Sequence, residues 1–73
     1  MKLPVVSGKD LVKIAIKLEF VEVRQKGAHK TFKHKDGRVL TIAVHSTPIP
    51  PGLLNKIIKQ DFGLSRIEFI KLL

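Results

Sequence analysis

The chain has 73 residues, no cysteine and a formal net charge of +8. That length fits one domain spanning residues 1–73 with a thin stability margin, because so short a chain buries only about 60% of its unfolded surface. The composition excludes a disulfide framework or a thiolate zinc site, and no apolar run approaches the roughly 20 residues that a membrane span needs.

The start, Met1 to Ser7, is too short and too polar to read as a signal peptide. Ser7 followed by Asp10 has the form of a helix N-cap with an acid in the first turn. Leu11, Ile14, Ala15 and Leu18 recur at helical spacing and Val12 widens the stripe, which predicts a helix from about Gly8 to Leu18. Phe20 to Gln25 alternates, with Val21 and Val23 on one side and Glu22 and Arg24 on the other, as in a half-buried strand. Lys26 to Ala28 is expected to turn. His29 to His34 is expected to be a second strand with Phe32 on its apolar side. Asp36-Gly37 signals a hairpin, and Arg38 to His45 should form the third strand.

Ser46 to Pro51 is a proline-rich loop, and Pro51 suits the first position of a helix. Leu53, Leu54, Ile57 and Ile58 read as a core stripe, with Asn55, Lys56 and Lys59 pointing away. Gly63 should end that helix. Ser65 with Glu68 matches a capping box, and Ile67, Phe69, Ile70 and Leu73 predict a short terminal helix. The expected fold is therefore α+β, in the order α-β-β-β-α plus that last helix. Its antiparallel sheet should carry the helices on one face and open the other to solvent.

Six of the fourteen Lys and Arg residues lie between Arg24 and Arg38. Such a small basic domain points to a nucleic acid, an acidic protein, or both as partner. Within that window Gly27 allows a tight turn or a close ligand approach. His29 follows between Lys26 and Lys30. Positive neighbours disfavour the imidazolium form, so the imidazole is expected to serve as a proton acceptor beside a phosphate. The three histidines and six carboxylates show no metal-ligand spacing, so no metal or other cofactor is expected. His34, an odd number of residues beyond His29, should lie on the opposite strand face, at the surface near the Asp-Gly turn. His45 is expected beside the proline loop in a structural role. The four phenylalanines sit where core is expected, and no Trp or Tyr is present, which argues against base stacking as a main mode of recognition.

The Lys26-Gly27-Ala28-His29 turn, the Lys35-Asp36-Gly37-Arg38 hairpin, the Val44-His45 strand end and Ile49-Pro50-Pro51-Gly52 opening a helix occur in one ordered set. With the leading amphipathic helix, that set resembles the HicA family of toxin ribonucleases over about Ser7 to Phe69. The resemblance implies a double-stranded-RNA-binding-like fold, cleavage of mRNA without a metal and inhibition by a cognate HicB-like antitoxin; the lack of cysteine fits a cytoplasmic location. The resemblance places the catalytic histidine at His29. Ala28 stands where many members carry serine. Lys26, Gly27, Lys30 and Lys33 are the expected RNA contacts. A non-catalytic RNA-binding module of the same fold, and a basic subunit that binds only an acidic protein, remain open as alternatives.

Overall fold

The computed structural model describes residues 4–45 and 47–73. The order is α1 (Gly8–Lys17), β1 (Val21–Lys26), β2 (His29–Lys33), β3 (Val39–Ala43), α2 (Pro51–Lys56) running on into a π turn (Ile57–Asp61), and α3 (Arg66–Leu72). The strands form an antiparallel meander, β1-β2-β3, with β2 in the middle. This is the α+β, double-stranded-RNA-binding-like layout expected from the sequence.

Helix α1 starts at Ser7. The Ser7 hydroxyl accepts from the Asp10 amide at 3.4 Å, and the Asp10 carboxylate accepts from the Ser7 amide at 2.9 Å. This reciprocal box satisfies two amides that the helix itself leaves unpaired. Leu11, Ile14 and Ala15 are buried, and Leu18 and Val12 pack partly against the same core. Gly8 sits where α1 crosses β3. A Cβ there would collide with the Ala43 carbonyl oxygen, so the two backbones approach as closely as they do because residue 8 has no side chain.

The other end of α1 closes in a Schellman motif. The Glu19 amide donates to the Ile16 carbonyl at 3.0 Å, and the Phe20 amide to the Ala15 carbonyl at 2.9 Å. The motif needs a left-handed residue, and Glu19 fills it at φ 69° where glycine is usual.

On the sheet's inner face, Phe32, Leu40 and Ile42 meet Leu11, Ile14, Leu54 and Ile58. All four phenylalanines are buried. Phe62 meets Phe20 edge-on, at 5.8 Å, and stacks on Phe69, at 6.5 Å. The β2–β3 hairpin joins this aromatic cluster through Arg38. Its guanidinium lies 5.1 Å from the Phe20 ring centroid, and it donates to Asp36 at 2.7 Å and to the Phe62 and Asp61 carbonyls at 2.7 and 3.3 Å. Those two carbonyls end the π turn and lack helical partners, so Arg38 completes that end. Amide donation from Arg38, reinforced by its guanidinium, holds the Asp36 carboxyl below its usual range against the opposing effect of desolvation. Helix α3 has the predicted capping box, with the Ser65 amide donating to Glu68 at 3.0 Å and the Glu68 amide to the Ser65 hydroxyl at 3.1 Å. Its last carbonyl turn is tied to α1 by Lys17, which donates to the Leu72 carbonyl at 2.8 Å.

Four expectations need correction. Strand β1 is not half-buried: all of it is exposed, with Val21 at 63% and Val23 at 57%. A bulge between Glu22 and Arg24 leaves Val23 unpaired. In α2, Leu53 is 47% exposed and not core, while Asn55 turns partly inward and buries its Oδ1 without a partner. The helix does not stay α to its end but widens into the π turn, where the Phe62 amide reaches back to the Ile57 carbonyl at 2.8 Å. His34 lies on the opposite face from His29, as expected, but its side chain is only 11% exposed. It packs on Phe20 at 5.0 Å between ring centroids.

Two glycine exchanges of opposite sign follow. Gly8→Ala gains helix propensity but forces α1 off β3, so a net loss of about 1–3 kcal/mol is expected in urea unfolding. Glu19→Gly removes the left-handed cost at the end of α1. The lost exposed pair with Lys35, at 3.9 Å, adds little, and the same measurement should show a gain of about 0.5–1 kcal/mol.

Candidate functional site

His29 owes its place to a tight turn. Lys26 pairs with His29 across the end of the β1–β2 ladder, so Gly27 and Ala28 alone make the connection. Gly27 is left-handed at φ 60°, and a Cβ added there would touch nothing within 4 Å. Its glycine is needed for conformation, in the first central position of a hairpin turn, and not for space. Ala28 continues the frame by accepting from the Val44 amide at 2.7 Å. The backbone of His29 is thus fixed at the first residue of the central strand, and its side chain is exposed.

Cross-strand partners point to the same face. On the outer face three rows can be read from the register: Lys26, His29 and Ala43; Arg24, Thr31 and Thr41; Val21, Lys33 and Val39. The threonines of the middle row touch through their hydroxyls at 3.2 Å. Lys26, Arg24 and Lys33 therefore share the face of His29. Lys26 and Lys33 were expected there. Arg24 was not named among the expected RNA contacts. The bulge at Val23 shifts the phase of the strand by one residue and re-aims both Arg24 and Lys26.

Lys30 departs from expectation in the other direction. It shares the inner face with Phe32 and Ile42, and its ammonium is 3.1 Å from the Glu22 carboxylate. It does not stand beside His29. By contrast, the side chains of Lys26, Arg24, Lys33 and His29 have no ion pair or hydrogen bond among the described residues. These cations are free to meet an external anion.

Beside His29 lies a cleft of about 290 Å³ between the sheet and α2. Leu11, Ile42, Ile49, Leu53 and Ile57 supply apolar walls, and His29, Thr41, Lys56 and Asp61 bring polar groups. Sequence reading had assigned Leu53 to the core and had not used Asp61. Lys59 is exposed on the same helix but does not line the cleft. His45 is exposed beyond the end of β3 and outside the cleft. No group of three or more His, Cys, Asp or Glu side chains converges as a metal site among the described residues. No helix is long and apolar enough to cross a membrane among them.

The arrangement offers a proton acceptor at a fixed strand end, unpaired cations on the same face, and a cleft with a second cation, Lys56, alongside. No curated protein matches the chain at a significant level. The family model for the HicA toxin of bacterial toxin–antitoxin systems matches residues 8–61. That stretch runs from the first residue of α1 to the last of the π turn and holds every strand. The chain belongs to the HicA toxin family.

Proposed function

We propose that this toxin is a metal-independent endoribonuclease that cleaves mRNA, with His29 as its general acid/base. The observation that carries the reading is His29 itself: an exposed imidazole carried on the first residue of β2, on a face whose cations are unpaired. In the proposed reaction, His29 takes the proton of a ribose 2′-OH. The 2′ oxygen attacks the adjacent phosphorus and the bond to the 5′ oxygen breaks, leaving a 2′,3′-cyclic phosphate. The imidazolium returns its proton to the departing 5′ oxygen. General-base help of this kind contributes roughly 10²–10⁴ in rate. Fixed cations beside the developing charge add a comparable or larger effect. The nucleophile belongs to the substrate, so no group need activate water.

Lys26, Arg24 and Lys33 are assigned to the RNA backbone, and the left-handed Gly27 to holding the turn that presents His29. A HicB-like antitoxin, acidic where it meets this face, is the proposed inhibitor. Its charge would mainly speed association, while apolar contacts would hold the complex.

His29→Ala should abolish cleavage while far-UV circular dichroism and RNA affinity stay near wild type, because no other side chain depends on the imidazole. Wild-type activity should persist in EDTA. Cleavage by the variant would remove His29 from the mechanism, and EDTA-sensitive cleavage restored by Mg²⁺ would overturn metal independence.

The sheet register makes a second, sharper expectation. Replacing Lys26, Arg24 or Lys33 by Ala should each lower the salt slope of RNA binding by roughly 0.7–0.9, whatever the RNA sequence. Lys30→Ala should leave the slope unchanged, since Lys30 serves Glu22 on the inner face. A drop for Lys30 equal to that for Lys26 would contradict this division.

A further inference from the structure

The chain has six carboxylates, and five are engaged: Asp10 and Glu68 close capping boxes, Glu19 and Glu22 pair with Lys35 and Lys30, and Asp36 holds Arg38. Asp61 is the exception. It is half-buried at the cleft, and among the described residues its carboxylate has neither ion pair nor hydrogen bond. Only its backbone carbonyl is used, by Arg38. The π turn contributes to this placement. Its wider spacing keeps Asp61 in line with Leu53 and Ile57, where a continuing α-helix would let it drift off that stripe. Leu53 is unusual for the opposite reason, as a large apolar side chain left 47% exposed at the same cleft.

A bare carboxylate beside an RNA-binding face repels phosphates. It becomes favourable only if it meets N–H donors. An apolar slot with such a carboxylate suits a nucleobase turned out of a single strand, the usual form in which RNA sequence is read. Among the four bases, guanine alone offers two adjacent donors, N1–H and N2–H, to one carboxylate. Adenine and cytosine place a ring acceptor beside their amino group. Uracil flanks its single N–H with two carbonyls. Each of those acceptors would face the anion.

We propose that the cleft between β3 and α2 is a guanine-accepting subsite, with Asp61 reading the base edge, Leu53 and Ile57 covering the base, and Lys56 holding the adjoining phosphate. The cleft touches His29, so the guanosine lies next to the cleaved bond. This assignment rests on the proposed function only in taking RNA as the ligand.

The test measures binding and not cleavage, so the two readings can fail separately. Fluorescence anisotropy is read with uncleavable 2′-fluoro single-stranded oligonucleotides, uridine throughout except for one central guanine, inosine or adenine. Inosine keeps N1–H and lacks the 2-amino group. The guanine strand should bind wild type on the order of tenfold more tightly than the other two, within the range expected for a bidentate base contact. Asp61→Asn, whose lost carboxylate has no structural partner, should bring the three strands level. Leu53→Ser should weaken the guanine strand and leave an all-uridine strand unchanged. Guanine-selective binding by a chain that never cleaves would keep the subsite and discard the ribonuclease.

Four results would overturn the subsite. They are equal affinity for guanine, inosine and adenine; a preference that survives Asp61→Asn; no affinity for any RNA; or variants that leave RNA binding intact and weaken only antitoxin binding, which would give the cleft to a protein partner.

Discussion

The close approach of Gly8 to the Ala43 carbonyl sets the geometry on which the candidate site is built. Ala43 pairs with His29 across the sheet, so the start of α1 is anchored one strand away from the imidazole. The same contact seats Leu11 over Ile42 and thereby lays the floor of the cleft. Ser7 bridges to Pro48, and the Ile49 amide donates to the Val6 carbonyl at 2.8 Å. These bonds bring the proline loop, and hence α2, against the same corner. A helix held a side chain's width farther out would widen this corner and loosen every wall of the cleft.

The two ends of the sheet use their charges differently. At the end of the sheet opposite His29, the aromatic cluster of Phe20, Phe62 and Phe69 is bound to the hairpin by Arg38. That arginine is half-buried, charge-paired and bonded to backbone, so it is committed to the fold. The cations near His29 are the reverse, exposed and unpaired. Counting positive residues between Arg24 and Arg38 treats the two groups alike; their contacts distinguish them. His34 adds a detail at the stable end. Its Nδ1 lies 3.1 Å from the Asp36 amide and 2.9 Å from the Asp36 carboxylate. That nitrogen can accept from the amide when bare or donate to the carboxylate when protonated, but not both at once.

Much of the fold could be read from residues alone, because its signals are local. Ser7 with Asp10, Ser65 with Glu68, Gly27 and Asp36-Gly37 each dictate a cap or a turn within a few positions. The α1 stripe repeats faithfully enough to identify its buried side. His29 was legible for the same reason, as the residue that must follow the turn. What escaped depends on partners distant in sequence. The bulge at Val23 is chosen by how β1 matches β2, so the alternation of Val21 and Val23 gave the wrong faces for Val21, which lies outward beside Lys33, and for Glu22, which lies inward beside Phe32. Lys30 was misplaced by its nearness to His29 in the chain, although neighbours on a strand point apart. The exposure of Leu53 and the π turn that carries Asp61 depend on how α2 packs in the whole fold. Periodicity cannot reveal them, because an apolar residue at helical spacing looks the same whether it faces core or cleft.

The bulge in β1 has a consequence beyond aiming two side chains. Strand β1 lies at the border of the sheet, with one row of peptide groups unmatched by any strand of the described chain. A flat border of that kind can zip onto the border of another copy and seed insoluble assembly. Here the extra residue at Val23 twists the ribbon and interrupts its hydrogen-bonding rhythm, and Glu22, Arg24 and Lys26 crowd it with charge. Both features discourage two such borders from matching. The irregularity that turns Arg24 toward the face of His29 thus also helps to keep this small, thinly buried chain from self-association.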